Sequence, residues 1–415
     1  MLAFSLGLGT LRRGRETVQP PNANLVAKYR LSTLLGDDVR AILRARWPQV
    51  MLFLGLPSLT LWLADILRGR AGVRGPDIGD QYLHSLCHMF GCIPGQFWEQ
   101  AQIWMALTVV LVILSAVIVI YVSYSAANFF YVRSAEAGDV AFRLGASYYW
   151  FVGGAFAFAC AVSFAIAGAP DYHALFPGGV QEHLRFVASL RQSQFLSLLD
   201  GSFYAVNASV AFAATFIVLS VALTVTNVDS TLDERLLARQ RTRFNTLLYL
   251  ASTVLVLGVV QMSAWVRLPL SMFDSYIKQA PVALGEAAAK PLIAKVEVIS
   301  AQYQAVATGY VTFAGITFVA VLLAIFLPAS KMLERASRDK AAAAVAQGAG
   351  EPPSTSVDKW LADRGLDDRT WDRVVAVVAL LAPFIAAPVA QFLQSLLKQA
   401  PPAQSSFIGF SALVA

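Results

Sequence analysis

Seven stretches of the chain run for roughly the thickness of a bilayer's hydrocarbon core with no Asp, Glu, Lys or Arg in their central parts, and that feature excludes most folds at once. They cover residues 49–66, 101–123, 146–168, 204–226, 245–266, 307–329 and 374–397. In water such runs have nowhere to go except one another, whereas in lipid each becomes a helix because only a helix satisfies its own backbone. Composition agrees: 57% of the 415 residues are hydrophobic and 14% charged, against about 25% charged in a soluble domain. Disordered, collagen-like and disulfide-rich secreted chains are excluded by the same figures and by a total of three cysteines. The fold class is all-α, a polytopic helical membrane protein with six strong transmembrane helices and a seventh that carries Pro383 and Pro388. Those prolines remove backbone donors, so 374–397 spans or re-enters only where neighbours compensate.

Orientation follows from the basic residues. With the N-terminus inside, the segments facing the cytoplasm hold 22 of the 32 Lys and Arg, and those facing outward hold 10. The net charge of +6 is thereby read as a preference for anionic lipid on the inner face, and nucleic acid is not expected as a partner. The apolar start MLAFSLGLGTL precedes Arg12, Arg13 and Arg15, the reverse of a cleavable signal, so the first span is expected to direct insertion. Residues 1–48 then form a cytoplasmic N-terminal region, and 49–329 a six-helix core with extracytoplasmic loops at 67–100, 169–203 and 267–306. This arrangement is three helical hairpins opening outward. Residues 330–356, which include AAAAVAQGAGEPPSTS, are expected to be a flexible cytoplasmic linker, and 357–415 a tethered C-terminal segment.

Local patterns add elements to this frame. After Gly36, Asp37 and Asp38, one helical face carries Val39, Ile42, Leu43 and Trp47 and another carries Arg40 and Arg44, the layout of an interfacial amphipathic helix. Each long outer loop is expected to hold a helix leading into the following span, and together these helices form a small cap. In the third loop the stripe Leu292, Val296, Ile299, Tyr303 and Val306 runs straight into the sixth span. In the second, Val180, Leu184, Val187, Phe195 and Leu198 follow the breaker Pro177-Gly178-Gly179. Ser356 to Gly365 reads as a two-turn helix closed by glycine.

Chemistry is sparse. His84, Cys87, His88 and Cys92 lie close together on the outer side; a disulfide between Cys87 and Cys92 is the leading reading, with free thiols or a two-His, two-Cys zinc set as alternatives. Cys160 is expected to be a small buried hydrophobe in the third span. Asp65 stands at the outer end of the first span. Asn207 and Gln261 are the best-embedded polar groups and are expected to bond between helices, a pore lining being the alternative. Gly153, Ala157, Ala161 and Ala165 repeat every fourth residue, as do Ala382, Ala386 and Ala390, so each set offers a groove to another helix or to a second copy. Nucleotide-loop, zinc-protease, hydrolase-elbow and paired-CxxC motifs are absent, and no cofactor is expected. The resulting reading is a non-enzymatic protein of a bacterial-type inner membrane, a scaffold, sensor or effector subunit. Its partners are lipid and itself or another membrane protein; a channel or uncoupled transporter component is the alternative and a membrane enzyme comes third.

Overall fold

In the computed structural model the described residues are 55–66 without 62 and 65, 95–136, 153–161, 194–226, 234–346, 356–364, 366 and 375–386. All belong to the unit Pro48–Ala415. They form α1 (Gly95–Glu136), α2 (Gln194–Thr226), α3 (Glu234–Val266), α4 (Leu268–Leu284), α5 (Glu286–Ala346) and α6 (Val357–Asp363). A shorter apolar helix, α7, covers Val375–Ala386, and residues 55–61 and 153–161 are also helical. Four helical stretches are long and apolar enough to cross a membrane: Phe97–Ser125, Gly201–Val225, Leu237–Leu284 and Glu286–Ala346. They contain the segments at 101–123, 245–266 and 307–329 and all but the last residue of 204–226. The segments at 49–66, 146–168 and 374–397 fall only partly on described residues. The N-terminal interfacial helix, the outer-loop residues 169–193, Asp65 and Ala390 lie outside them.

The helices are tied together by three apolar clusters at successive levels along the bundle. One end joins the starts of α1 and α2, through Phe97, Trp104 and Phe203, to the end of α3, to α4 and to the first half of α5. The middle level holds Leu111 to Val122 of α1, Phe216 and Val221 of α2, Leu247 and Val254 of α3, and Leu322 to Leu333 of α5. At the far end Leu237 of α3 and Ala341 of α5 meet Trp360 and Leu361 of α6. On α1 the opposite face leaves Val109, Ile113, Val117 and Ile120 exposed, between 54% and 69%. Their spacing of three and four residues makes that face a stripe suited to lipid.

Between α3 and α5 the expected outer loop is helical almost throughout. Pro269 cannot donate to the carbonyl four residues back, so α3 ends at Val266 and α4 restarts with proline in its first turn. Gly285, at φ 77, then reverses the chain in a conformation that an L side chain would strain. The α4 and α5 helices close into a hairpin whose core holds Phe273, Tyr276, Val296 and Tyr303, with Leu292 and Ile299 packed against it. The stripe read from 292 to 306 is the buried face of α5.

Two expectations about the C-terminal part are corrected. No linker starts at residue 330, because α5 continues as helix to Ala346, supported by Lys331–Glu334 and Arg338–Glu334 ion pairs of 2.9 and 3.1 Å. The described part of the C-terminal segment is also packed rather than separately tethered. On α7, Ala376, Ala379 and Leu380 lie against the middle cluster while Ala386 belongs to the hairpin-end cluster, so the helix runs back up the bundle. Pro383 deprives the Ala379 carbonyl of its helical donor, and Ser252 Oγ supplies a replacement at 2.6 Å. Below Pro383 lies Gly315 of α5. A Cβ there would come within 2.9 Å of the Pro383 carbonyl oxygen and 3.2 Å of Phe384 Cα.

That crossing generates the first prediction. Gly315→Leu should lower unfolding stability in detergent or nanodiscs by about 1–3 kcal/mol, because the side chain meets backbone that cannot rotate away. Gly309 on the same helix has open space around its Cβ position; Gly309→Ala should be neutral or stabilising by up to ~1 kcal/mol, since glycine is the weaker helix former. Equal effects of the two substitutions would remove the crossing from the account.

Candidate functional site

The most specific constellation is a clamp where α6 crosses the ends of α3 and α5. Ser356 caps α6, its hydroxyl accepting from the Lys359 backbone N–H at 3.2 Å, as serine does where the first helical donors have no partners. The helix has seven residues, far fewer than an isolated helix needs in water. Its order comes from docking. Trp360 and Leu361 are buried against Leu237 and Ala341, with Leu366 completing the cluster. Around this apolar contact Arg364 Nε donates to Glu234 Oε2 at 2.7 Å. The Arg364 guanidinium also stands 4.2 Å from the centre of the Trp360 ring, while Arg241 donates to the Leu366 carbonyl oxygen.

Magnitudes rank these contacts. Truncating a buried tryptophan costs about 3–5 kcal/mol. A half-exposed ion pair contributes up to ~1 kcal/mol and a cation over an aromatic face at an exposed site about 0.5–1 kcal/mol. The tryptophan therefore holds the clamp, and the charges set its register. A contact of that size, on a helix too short to be stable alone, makes docking the source of its order.

At the opposite end lies a dense aromatic layer. Trp265 stacks on Phe203 at 4.8 Å and meets Trp104 at 4.7 Å. Five buried polar atoms there have no hydrogen-bond partner: Gln100 Oε1, Trp104 Nε1, Ser263 Oγ, Trp265 Nε1 and Tyr303 Oη. Such groups are costly to bury, and these five lie where α1, α3 and α5 converge.

Of the residues singled out in sequence, His84, Cys87, His88 and Cys92 lie outside the described residues, as does Ala165. Among the described residues no group of three His, Cys, Asp or Glu is placed to hold a metal ion. Cys160 is exposed, contrary to its expected burial. Gly153, Ala157 and Ala161 are exposed too, while Ala155 and Ala159 are buried in the middle cluster. The segment thus packs through the neighbouring face, because alanines flank the glycine stripe on both sides and spacing alone does not rank them. Ala386 is buried and Ala382 half-buried, beside the Gly315 crossing. Gln261 Nε2 donates to Thr108 Oγ1 at 3.3 Å, joining α3 to α1. Asn207 Nδ2 instead donates to Phe203 O on its own helix at 2.9 Å.

Sequence reasoning missed Arg243. It is 9% exposed and donates through Nη2 to the buried Ser220 Oγ of α2 at 2.7 Å. Its place just ahead of the apolar run made it read as a solvated loop charge, although the helix start at Glu234 and the spacing Arg239, Arg243 were visible.

Hydrogen exchange tests the clamp. Trp360→Ala should raise exchange across residues 357–366 to that of an undocked peptide, whereas Arg364→Ala should raise it by no more than about fivefold, the equivalent of ~1 kcal/mol. Unchanged protection in Trp360→Ala would show that the cluster does not hold this segment.

The chain matches no known protein family, no curated protein and no solved structure.

Proposed function

We propose that the protein is a non-enzymatic integral membrane protein, a sensor or effector subunit that couples its α4–α5 hairpin on one side of the membrane to the clamp on the other. One observation carries this reading: α5 contributes Val296, Tyr303 and Tyr310 to the hairpin-end cluster, Leu322 to Leu333 to the middle cluster, and Ala341 to the clamp. At 61 residues it measures about 92 Å, three times a hydrocarbon core of about 30 Å. A packed helix that long transmits displacement of one end to the other, because its core contacts interlock in discrete arrangements.

The proposal includes six spans and a seventh, arranged as three outward-opening hairpins in a bacterial-type inner membrane with the N-terminus inside. Supporting it, Arg235, Arg239, Arg241, Arg243, Lys331, Arg335, Arg338 and Lys340 gather toward the clamp end, which is the distribution of a cytoplasmic face. Partners are lipid and a second copy or another membrane protein. The alternative, a channel or uncoupled transporter component, has less support. Gln261 is engaged between helices, and Asn207 is bonded to its own helix.

Single cysteines introduced at Val282 and Arg335 should label from the outside and the inside respectively; labelling of Arg335→Cys from outside would reverse the orientation. Purified protein in liposomes should pass no small ions or solutes selectively at rest. Constitutive flux altered by Asn207→Leu or Gln261→Leu would replace the coupling reading with the channel one.

A further inference from the structure

Pairwise contacts fix the heights of the long helices against one another. Between α1 and α3, Trp104 meets Trp265 at 4.7 Å and Thr108 accepts from Gln261 at 3.3 Å, so the two run antiparallel in one register. Phe203 of α2 stacks on Trp265 at 4.8 Å, and Ser220 accepts from Arg243 at 2.7 Å. Phe326 of α5 stands 5.4 Å from Phe244. Carried across these contacts, the charged residues that bound the apolar runs fall into two layers. Arg267 is level with Gln102 of α1 and with the turn of α2 that holds Asp200, and Glu99 of α1 and Glu297 of α5 lie within about two turns of it. Arg243 marks the other layer, with Lys331 of α5 and Arg133 of α1 within about two turns beyond it. Between the layers α3 carries no charge over residues 244–266.

That interval is the limiting one. On α1 and α5 the charge-free runs are longer, 100–132 and 298–330, and either helix alone would let a bilayer slide along it. On α3 the run is bounded by two arginines about 36 Å apart at 1.5 Å per residue. A hydrocarbon core of about 30 Å fits between them with little to spare, and ionised side chains are tolerated at its edges but costly at its centre. The outward face of α1 agrees. Its exposed apolar residues run from Ile103 to Ile120, and exposed aromatic side chains stand just past both ends, Trp98 at 36% and Tyr124 at 65%. Those two positions are about 39 Å apart along the helix, close to the roughly 40–45 Å of a bilayer with its headgroups, and Trp and Tyr favour that boundary. We propose that the bilayer is held at one height on the bundle, its hydrocarbon core between the levels of Arg267 and Arg243, with Trp98 and Tyr124 as the side chains that meet the two headgroup layers. The α4–α5 hairpin and both ends of the charge-free run of α5 then stand outside the hydrocarbon. The placement rests on the proposed residence in a membrane, and on neither its orientation nor the coupling role.

Depth measurement provides the test. A spin-labelled amino acid is introduced by codon suppression in place of Trp98, Ile103, Ile113 or Tyr124, which leaves the native cysteines untouched, and the full chain is reconstituted in phosphatidylcholine liposomes. Collisions with oxygen, which concentrates at the bilayer centre, and with a water-soluble nickel chelate then report the depth of each label. The level midway between Arg243 and Arg267 falls at Leu114 on α1. Position 113 should therefore be the deepest, about 15 Å below positions 103 and 124 at 1.5 Å per residue, and position 98 should meet nickel most often of the four. A depth maximum displaced from position 113 by more than one helical turn would overturn the placement. A label at position 113 that neither reagent reaches would also overturn it, because protein rather than lipid would then cover the stripe. Protein that fails to float with the liposomes would contradict the membrane residence itself, and the placement with it.

Discussion

Between helices in a bilayer there is no water to expel, so association depends on close backbone approach and on hydrogen bonds that have no solvent competitor. The crossing of α7 over α5 supplies both. Gly315 lets the Pro383 carbonyl lie within a distance that any side chain would deny, and Ser252 satisfies the Ala379 carbonyl that Pro383 orphans. Neither device works alone. Without the glycine the proline segment stands off from α5, and without the serine the approach leaves an unpaired carbonyl in an apolar interior, at about 1–3 kcal/mol. Gln261 and Thr108 add one further bond between α3 and α1 at the hairpin end of the bundle.

At the two ends the driving force changes character. On the proposed topology the hairpin and the clamp extend past the apolar spans into water, where burial of Phe273, Tyr276 and Tyr303 at one end, or Trp360 and Leu361 at the other, is favourable in its own right. That topology gives two solvent-driven cores separated by a lipid-embedded bundle, and α5 contributes to all three clusters. This distribution is what makes a coupling function plausible in physical terms. The clamp is the weakest of the three, being a short helix held mainly by one tryptophan, and the weakest element responds first to strain delivered along α5.

Sequence periodicity reached those parts of the fold in which one face alternates with another. The stripe from Leu292 to Tyr303 and the cap at Ser356 are examples, because each is a local pattern with a local physical cause. The continuation of α5 to Ala346 is obscured by alanine, which suits a helix and a low-complexity tract equally, so the Gly and Pro that follow at 348–353 make the whole stretch look like a linker. Packing faces were harder. In residues 153–161 nearly every position is small or apolar, so the choice of Ala155 and Ala159 over Gly153 and Ala157 depends on what lies opposite. Arg243 escaped for another reason. It looks like an ordinary charge flanking a span, and only the position of Ser220 on another helix shows it to be a buried donor between helices.

One helix, α5, joins the hairpin to the clamp, and an intramolecular distance measures that continuity. Spin labels at Val298 and Arg335, both exposed on α5, should give a narrow distribution in nanodiscs centred at about 56 Å, the length of straight helix between them at 1.5 Å per residue, less the small shortening that a bend at Pro328 introduces. A broad distribution, or one centred well below that length, would show that α5 is broken between the hairpin-end and clamp-end clusters. The two ends would then have no common rod through which to act on each other.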